Sequence, residues 1–169
     1  DLRGAILRGA QLNHALLQEC IFAECNLEGS SFLHARLQAC RFTTAKMDEA
    51  NFTGVQGQGC EFSGVQAHSA KFSRANLSQS VFAKAFAPSC DFREANLSAA
   101  DFSAAVLSES LFGEANLMAT DLREAMMHGA RELAASQLGQ ARTSQGTILP
   151  NGTKGPFVKG LGGELAARR

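Results

Sequence analysis

The residues here with the chemistry to bind a metal or run a redox step are five cysteines and four histidines. Cys20, Cys40 and Cys60 stand twenty residues apart, Cys25 and Cys90 fall on the same five-residue grid, and no C-x-x-C pair occurs. Ala is the usual occupant of that grid position, so the thiols read as small buried hydrophobes, kept reduced in a cytosolic compartment. Were residues twenty apart brought together, Cys20, Cys40 and Cys60 would stack at a Cα spacing that a disulfide tolerates. His14 and His34 are also twenty apart. Two imidazoles without a third thiolate or carboxylate make a poor metal site. His68 and His128 are isolated and read as surface residues. The chain has no nucleophile elbow, H-E-x-x-H, P-loop or Rossmann glycine pattern. The expectation is a protein that is not an enzyme, with no catalytic residues, cofactor or metal.

What must position these side chains is a five-residue period that runs from Leu2 to Met127 without a slip. Its 26 centres comprise eleven Leu, ten Phe, two Met and three small residues, Gly57, Ala67 and Ala87. The small position two residues before a centre, from 5 to 130, is Ala fifteen times and Cys five times. Five residues turn a helix by ~500° and scatter such a pattern around it. A flat strand sends alternate centres to opposite faces. The period works if each unit is one short side of a coil with a corner every five residues. Four sides then close a square coil of twenty, and stacked coils bury a core that no single unit could.

Units such as Ala50-Asn51-Phe52-Thr53-Gly54 and Ala95-Asn96-Leu97-Ser98-Ala99 make the chain resemble the pentapeptide-repeat family, A(D/N)LXX, over residues 1–130. The resemblance implies an all-β, right-handed quadrilateral β-helix. About 6.5 coils at ~4.8 Å spacing would give a rod roughly 31 Å long. Seven of the nine Gly before residue 131 lie two places after a centre, where a type II turn needs positive φ. Other corners carry Glu, Ala, Ser, His or Lys, which predicts at least two turn geometries. Phe at every tenth position from 22 to 112 predicts ring ladders on two facing walls. Val55 and Val65 precede the small centres Gly57 and Ala67 and return lost volume. Ala87 has no such partner, so either the ring of Phe86 turns inward or a void forms.

Residues 1–130 form the expected solenoid domain, and 131–152 a C-terminal cap. Within the cap, a short amphipathic helix over 132–142 covers the last coil, Thr147–Leu149 is extended and Pro150-Asn151-Gly152 turns. Residues 153–169 read as a flexible basic tail. The opening at Asp1, already inside the repeat, suits a fragment or a trimmed chain.

Zero net charge gives no overall field for nucleic acid or anionic membrane, and no apolar run approaches the ~20 residues of a membrane span. Residues 88–130 are nevertheless acidic, through Asp91, Glu94, Asp101, Glu109, Glu114, Asp121 and Glu124 against Arg93 and Arg123. Among the outward positions just before the centres, Ile6, Leu16, Ile21, Val81, Phe86, Val106, Leu111 and Met126 break a polar pattern. Phe86, Val106 and Met126 are twenty apart and should form an outer stripe fit for docking. The leading reading is a bacterial protein–protein interaction or structural scaffold, its partner a protein or an upstream domain, with self-association at the exposed first coil. One branch of the family implies a second, a DNA-mimicking binder of gyrase dimerised through its carboxyl end. That fits poorly, because duplex DNA carries a charge every ~1.7 Å. A third is the solenoid of a larger secreted effector or secretion accessory protein.

Overall fold

The computed structural model describes residues 1–158. Parallel β-bridges join the residue before each centre to its counterpart twenty residues on, from Ile6↔Asn26 to Leu111↔Arg131. Each bridge is isolated, because a five-residue side has room for one bridged residue before the next corner. Three amides per unit then bond in a fixed scheme. In one such set Leu7 N–H donates to Asn26 O at 2.7 Å, Gly9 N–H to Glu28 O at 2.9 Å and Asn26 N–H back to Ala5 O at 3.0 Å. The backbone of every wall is thereby spent between coils, as buried or half-buried polar groups require.

The corners correct one expectation. All positions two after a centre, from Gly4 to Glu124 and Gly129, take φ between 55° and 73°, and nineteen of these 26 are not Gly. A left-handed residue thus serves every corner, and most corners are closed by a bond such as Phe52 O accepting from Val55 N–H at 3.3 Å. Left-handed φ costs a non-Gly residue roughly 1–2 kcal/mol, and the ladder holds it there. The amide just after each centre lies outside this ladder, and the Asn or Asp before the centre often accepts it. Asn51 Oδ1 accepts from Thr53 N–H at 3.0 Å, and Asp101 Oδ1 from Ser103 N–H at 2.8 Å. This is a physical use for Asn or Asp at that place in the repeat.

The core is the Phe double ladder. Rings twenty apart stack, as Phe62 on Phe82 at 4.5 Å between centroids, and rings ten apart meet edge-on across the axis, as Phe62 and Phe72 at 5.9 Å. Gly57 leaves room that Cys60, Leu77 and Val55 close over. Phe86 turns outward and is 50% exposed, while Ala87 stays buried.

The regular register ends at Glu132, whose φ of 57° turns the chain early. The helix α1 is only Ala135–Leu138, one turn rather than the span expected over 132–142. A longer helix would lift the chain off the coil below, whereas Arg142 N–H is held by Thr120 O at 2.8 Å. Coil pairing persists beyond 131 through Asp121↔Arg142 and Met126↔Ile148, at offsets of 21 and 22. Leu133, Leu138 and Leu149 bury their side chains against the last regular coil. Gln137 Nε2 donates to Phe112 O at 2.7 Å and to Ala115 O at 2.9 Å, the latter a carbonyl that a regular coil would have satisfied from its backbone. Pro150–Gly152 turns as expected, with Gly152 at φ 84°. The start of the expected mobile tail is attached: Ile148 bridges Lys154, Gly155 N–H donates to Thr147 O at 2.9 Å, and Phe157 packs on the core. The rest of that tail, 159–169, lies outside the described residues.

Candidate functional site

The coil register assigns each candidate to a wall. Phe86, Val106 and Met126 are joined by direct bridges, Phe86↔Val106 and Val106↔Met126, so the expected stripe exists on one of the two walls without Phe centres. Met126 is 43% exposed and Val106 half-buried. The stripe continues to Ile148, which bridges Met126. The sequence reading missed Ile148 because its offset is 22, outside the five-residue grid. The signal was present in Thr147-Ile148-Leu149, which repeats the small–outward–large order of a unit.

All five cysteines are free, and four of them donate to a centre carbonyl of the coil below. Cys60 Sγ donates to Leu37 O at 2.8 Å, and Cys90 Sγ to Ala67 O at 2.8 Å. Ser80, Ser110, Thr120 and Thr147 make the same bond from the same place, Ser80 Oγ to Gly57 O at 2.8 Å for example. Thiol and hydroxyl are therefore interchangeable donors in a small slot. Burial pushes the Cys90 thiol well up, and the adjoining Cys40 thiol together with burial does the same to Cys60. These are the opposite of nucleophile conditions.

The His14 and His34 rings lie on one corner column, as their spacing implied, tilted by 31° with centroids 5.6 Å apart. The next residue of that column is Gly54, where a Cβ would run into Nδ1 of His34. No group of three or more His, Cys, Asp and Glu suited to a metal occurs among the described residues. One open, mostly polar surface groove of about 370 Å³ is lined by Arg8, Glu28, Gly29, Asp48 and Glu49, with Arg8 and Glu28 paired at 2.8 Å.

Model matches to known families cover the repeat from end to end. The model described as "Pentapeptide repeat region" matches residues 2–72, and that described as "Pentapeptide repeats (8 copies)" matches 60–98, 70–107 and 100–131. The chain is a pentapeptide-repeat protein. No curated protein matches it. Among solved structures it is similar to two trypsin-treated forms of QnrB1, a plasmid-mediated fluoroquinolone resistance protein. One is 17% identical with a TM-score of 0.56, over 85% of this chain and 72% of that one. The other is 14% identical with a TM-score of 0.54, over 90% and 86%. HetL, involved in heterocyst differentiation regulation in the cyanobacterium Nostoc sp., matches at 20% identity and TM-score 0.45, over 88% of this chain and 78% of its own. At these identities the QnrB1 likeness speaks to the fold alone.

In this pentapeptide-repeat protein the acidic residues do not gather on one face. Asp91, Glu94 and Glu114 lie on one Phe-bearing wall and its corner; Asp101, Asp121 and Glu124 lie on the opposite wall, and Glu109 sits at a corner of the apolar-striped wall. Several are neutralised locally. Glu94 pairs with Arg74 at 3.1 Å and Asp91 with Arg93 at 2.8 Å, and Asp121 is clasped by Arg123. Burial pushes Asp91 up, but the Arg93 guanidinium and amide outweigh it and hold the carboxyl below the usual range. Arg123 lowers Asp121 against a smaller opposing effect of burial. The fourth wall carries an amide ladder instead: Asn96 Nδ2 donates to Asn76 Oδ1 and Asn116 Nδ2 to Asn96 Oδ1, each at 3.2 Å. No described helix is long and apolar enough to cross a membrane.

Proposed function

We propose that this pentapeptide-repeat protein is a non-enzymatic interaction or scaffold module, a right-handed square rod of about 6.5 regular coils over its 130 repeat residues that presents side chains on a rigid lattice. The observation that carries the reading is the unbroken twenty-residue bridge register. It fixes each outward row before any partner arrives, so binding loses little conformational freedom. The apolar row Phe86, Val106 and Met126 is the surface we assign to a protein partner, which is either a separate chain or a neighbouring domain of a longer one. The buried free thiols favour a reducing compartment such as the bacterial cytoplasm. A gyrase-directed duplex mimic has less support, because the carboxylates are divided between opposite walls and matched by Arg74, Arg93 and Arg123.

The test is recovery of partners from bacterial lysate by the tagged chain and by a Phe86→Ser, Val106→Ser variant with an unchanged melting curve. Loss of a defined partner supports the assignment. Unchanged recovery removes the row from consideration.

A further inference from the structure

On the wall that bears Phe86, the outward rows from residue 66 to 148 hold no Lys, Arg, Asp or Glu: Gln66, His68, Phe86, Pro88, Val106, Ser108, Met126, His128 and Ile148. The amino-terminal half of the same wall carries Arg8, Glu28, Lys46 and Asp48. Charged residues return at the corners bounding rows 66–148, Glu109 on one edge and Lys84 with Glu124 on the other. An apolar face of this kind has three classes of occupant: an added strand, a second copy, or a helix.

Strand addition needs unpaired backbone groups, and this wall has none to offer, since Phe86, Val106 and Met126 N–H each donate to the coil below and Phe86, Val106 and Met126 O each accept from it. A second copy needs area. Four rows at ~4.8 Å by a wall about 15 Å wide give roughly 300 Å² a side, well under the ~800 Å² per partner of a stable interface. A helix meets the first constraint, because it brings its own backbone bonds and contacts through side chains alone, and as a transient contact it needs less area than a stable dimer. The apolar stripe of a helix advances one residue every 3–4 positions, roughly 5 Å. Three turns therefore place four apolar side chains along Phe86, Val106, Met126 and Ile148.

We infer that this half-wall is a seat for an amphipathic helix of a partner protein, laid along the rod axis, its apolar stripe on Phe86–Val106–Met126–Ile148 and Lys or Arg on its flanks toward Glu109 and Glu124. The inference rests on the interaction-module reading and names the class of ligand for it.

The experiment is selection of a displayed library of random twenty-residue peptides against the intact chain, followed by titration of the best synthetic peptide. The expected binders have apolar residues at i, i+3 or i+4 and i+7 with basic flanks, and gain helical circular dichroism on binding. Val106→Asp should weaken binding by roughly tenfold or more. Ile21→Asp, on the adjoining wall, should change it less than about twofold. Matched melting curves establish that both variants fold, and Val106→Ser serves if Val106→Asp does not. Binders that are extended or proline-rich, or indifferent to the Val106 substitution, overturn the inference. So does a dimer in sedimentation that Val106→Asp dissolves, which would assign the wall to a second copy. Binders that map to another wall sink the helix seat and leave the interaction module standing; a library that yields none sinks both.

Discussion

Replacing Phe72 by Ala tests whether the ring ladder is the main source of stability. Phe72 stacks on Phe52 at 5.2 Å and on Phe92 at 5.1 Å, and meets the edges of Phe62 at 5.9 Å and Phe82 at 5.6 Å. Burial and cavity formation for Phe→Ala cost about 3–5 kcal/mol. The neighbours cannot collapse into the gap, because each ring is fixed by its own coil, so the upper part of that range applies. Phe22 is equally buried but has only two ring partners, Phe32 at 5.7 Å and Phe42 at 5.0 Å. At ~0.5–1.5 kcal/mol per aromatic pair, Phe22→Ala should cost about 1–3 kcal/mol less than Phe72→Ala. Urea denaturation of both variants and the parent, followed by far-UV circular dichroism, measures the two losses. Equal losses, or a Phe72→Ala loss below about 2 kcal/mol, would refute the claim that the pairs act beyond their buried area.

Four further outcomes follow from the geometry. Gly54→Ala should destabilise more than Gly59→Ala in thermal melts, since both sit at positive φ but only Gly54 faces the His34 ring; adding His34→Ala should erase the difference. Asn96→Ala should lose about 1 kcal/mol or more in urea melts, and Asn96→Asp less, because the carboxylate still accepts from Ser98 N–H while the donor to Asn76 is gone. The folded pKa of Asp121 is depressed by Arg123, so its contribution is present above the unfolded value of about 3.9 and lost as pH falls through the folded one; Asp121→Asn should flatten the stability profile below about pH 4. Cys90→Ser should be nearly neutral in melts, since Ser110 and Ser80 already make the same bond, whereas Cys90→Ala leaves Ala67 O short of its second donor.

The architecture was legible because the centres from Leu2 to Met127 keep strict period, and the Phe spacing of ten carried the ring ladders with it. The corners were not. Glycine at seven of them suggests two turn types, yet Glu94, Ala99 and Lys84 take the same left-handed φ as Gly59. Cooperative bonding between coils overrides local preference there, and composition at a single corner carries no trace of that. The cap was readable in its apolar residues, Leu133, Leu138 and Leu149, but the extent of its helix was not. The long-range bonds of Gln137 and Arg142 to the coil below decide it. Of the candidate surfaces, the stripe followed from spacing alone. The division of the carboxylates needed the wall assignment, because residues ten apart in sequence face away from each other.

The twenty-residue register makes this molecule count in quarter turns. Inserting one repeat of five between Gln66 and Phe86 would rotate every later row onto the next face and carry Phe86, Val106 and Met126 together around the corner from Gln66. Inserting four repeats would return each row to its own face and change only the length of the rod. Duplication in lots of four can thus lengthen such a protein without scrambling what it displays, while any other dose reassigns the sides.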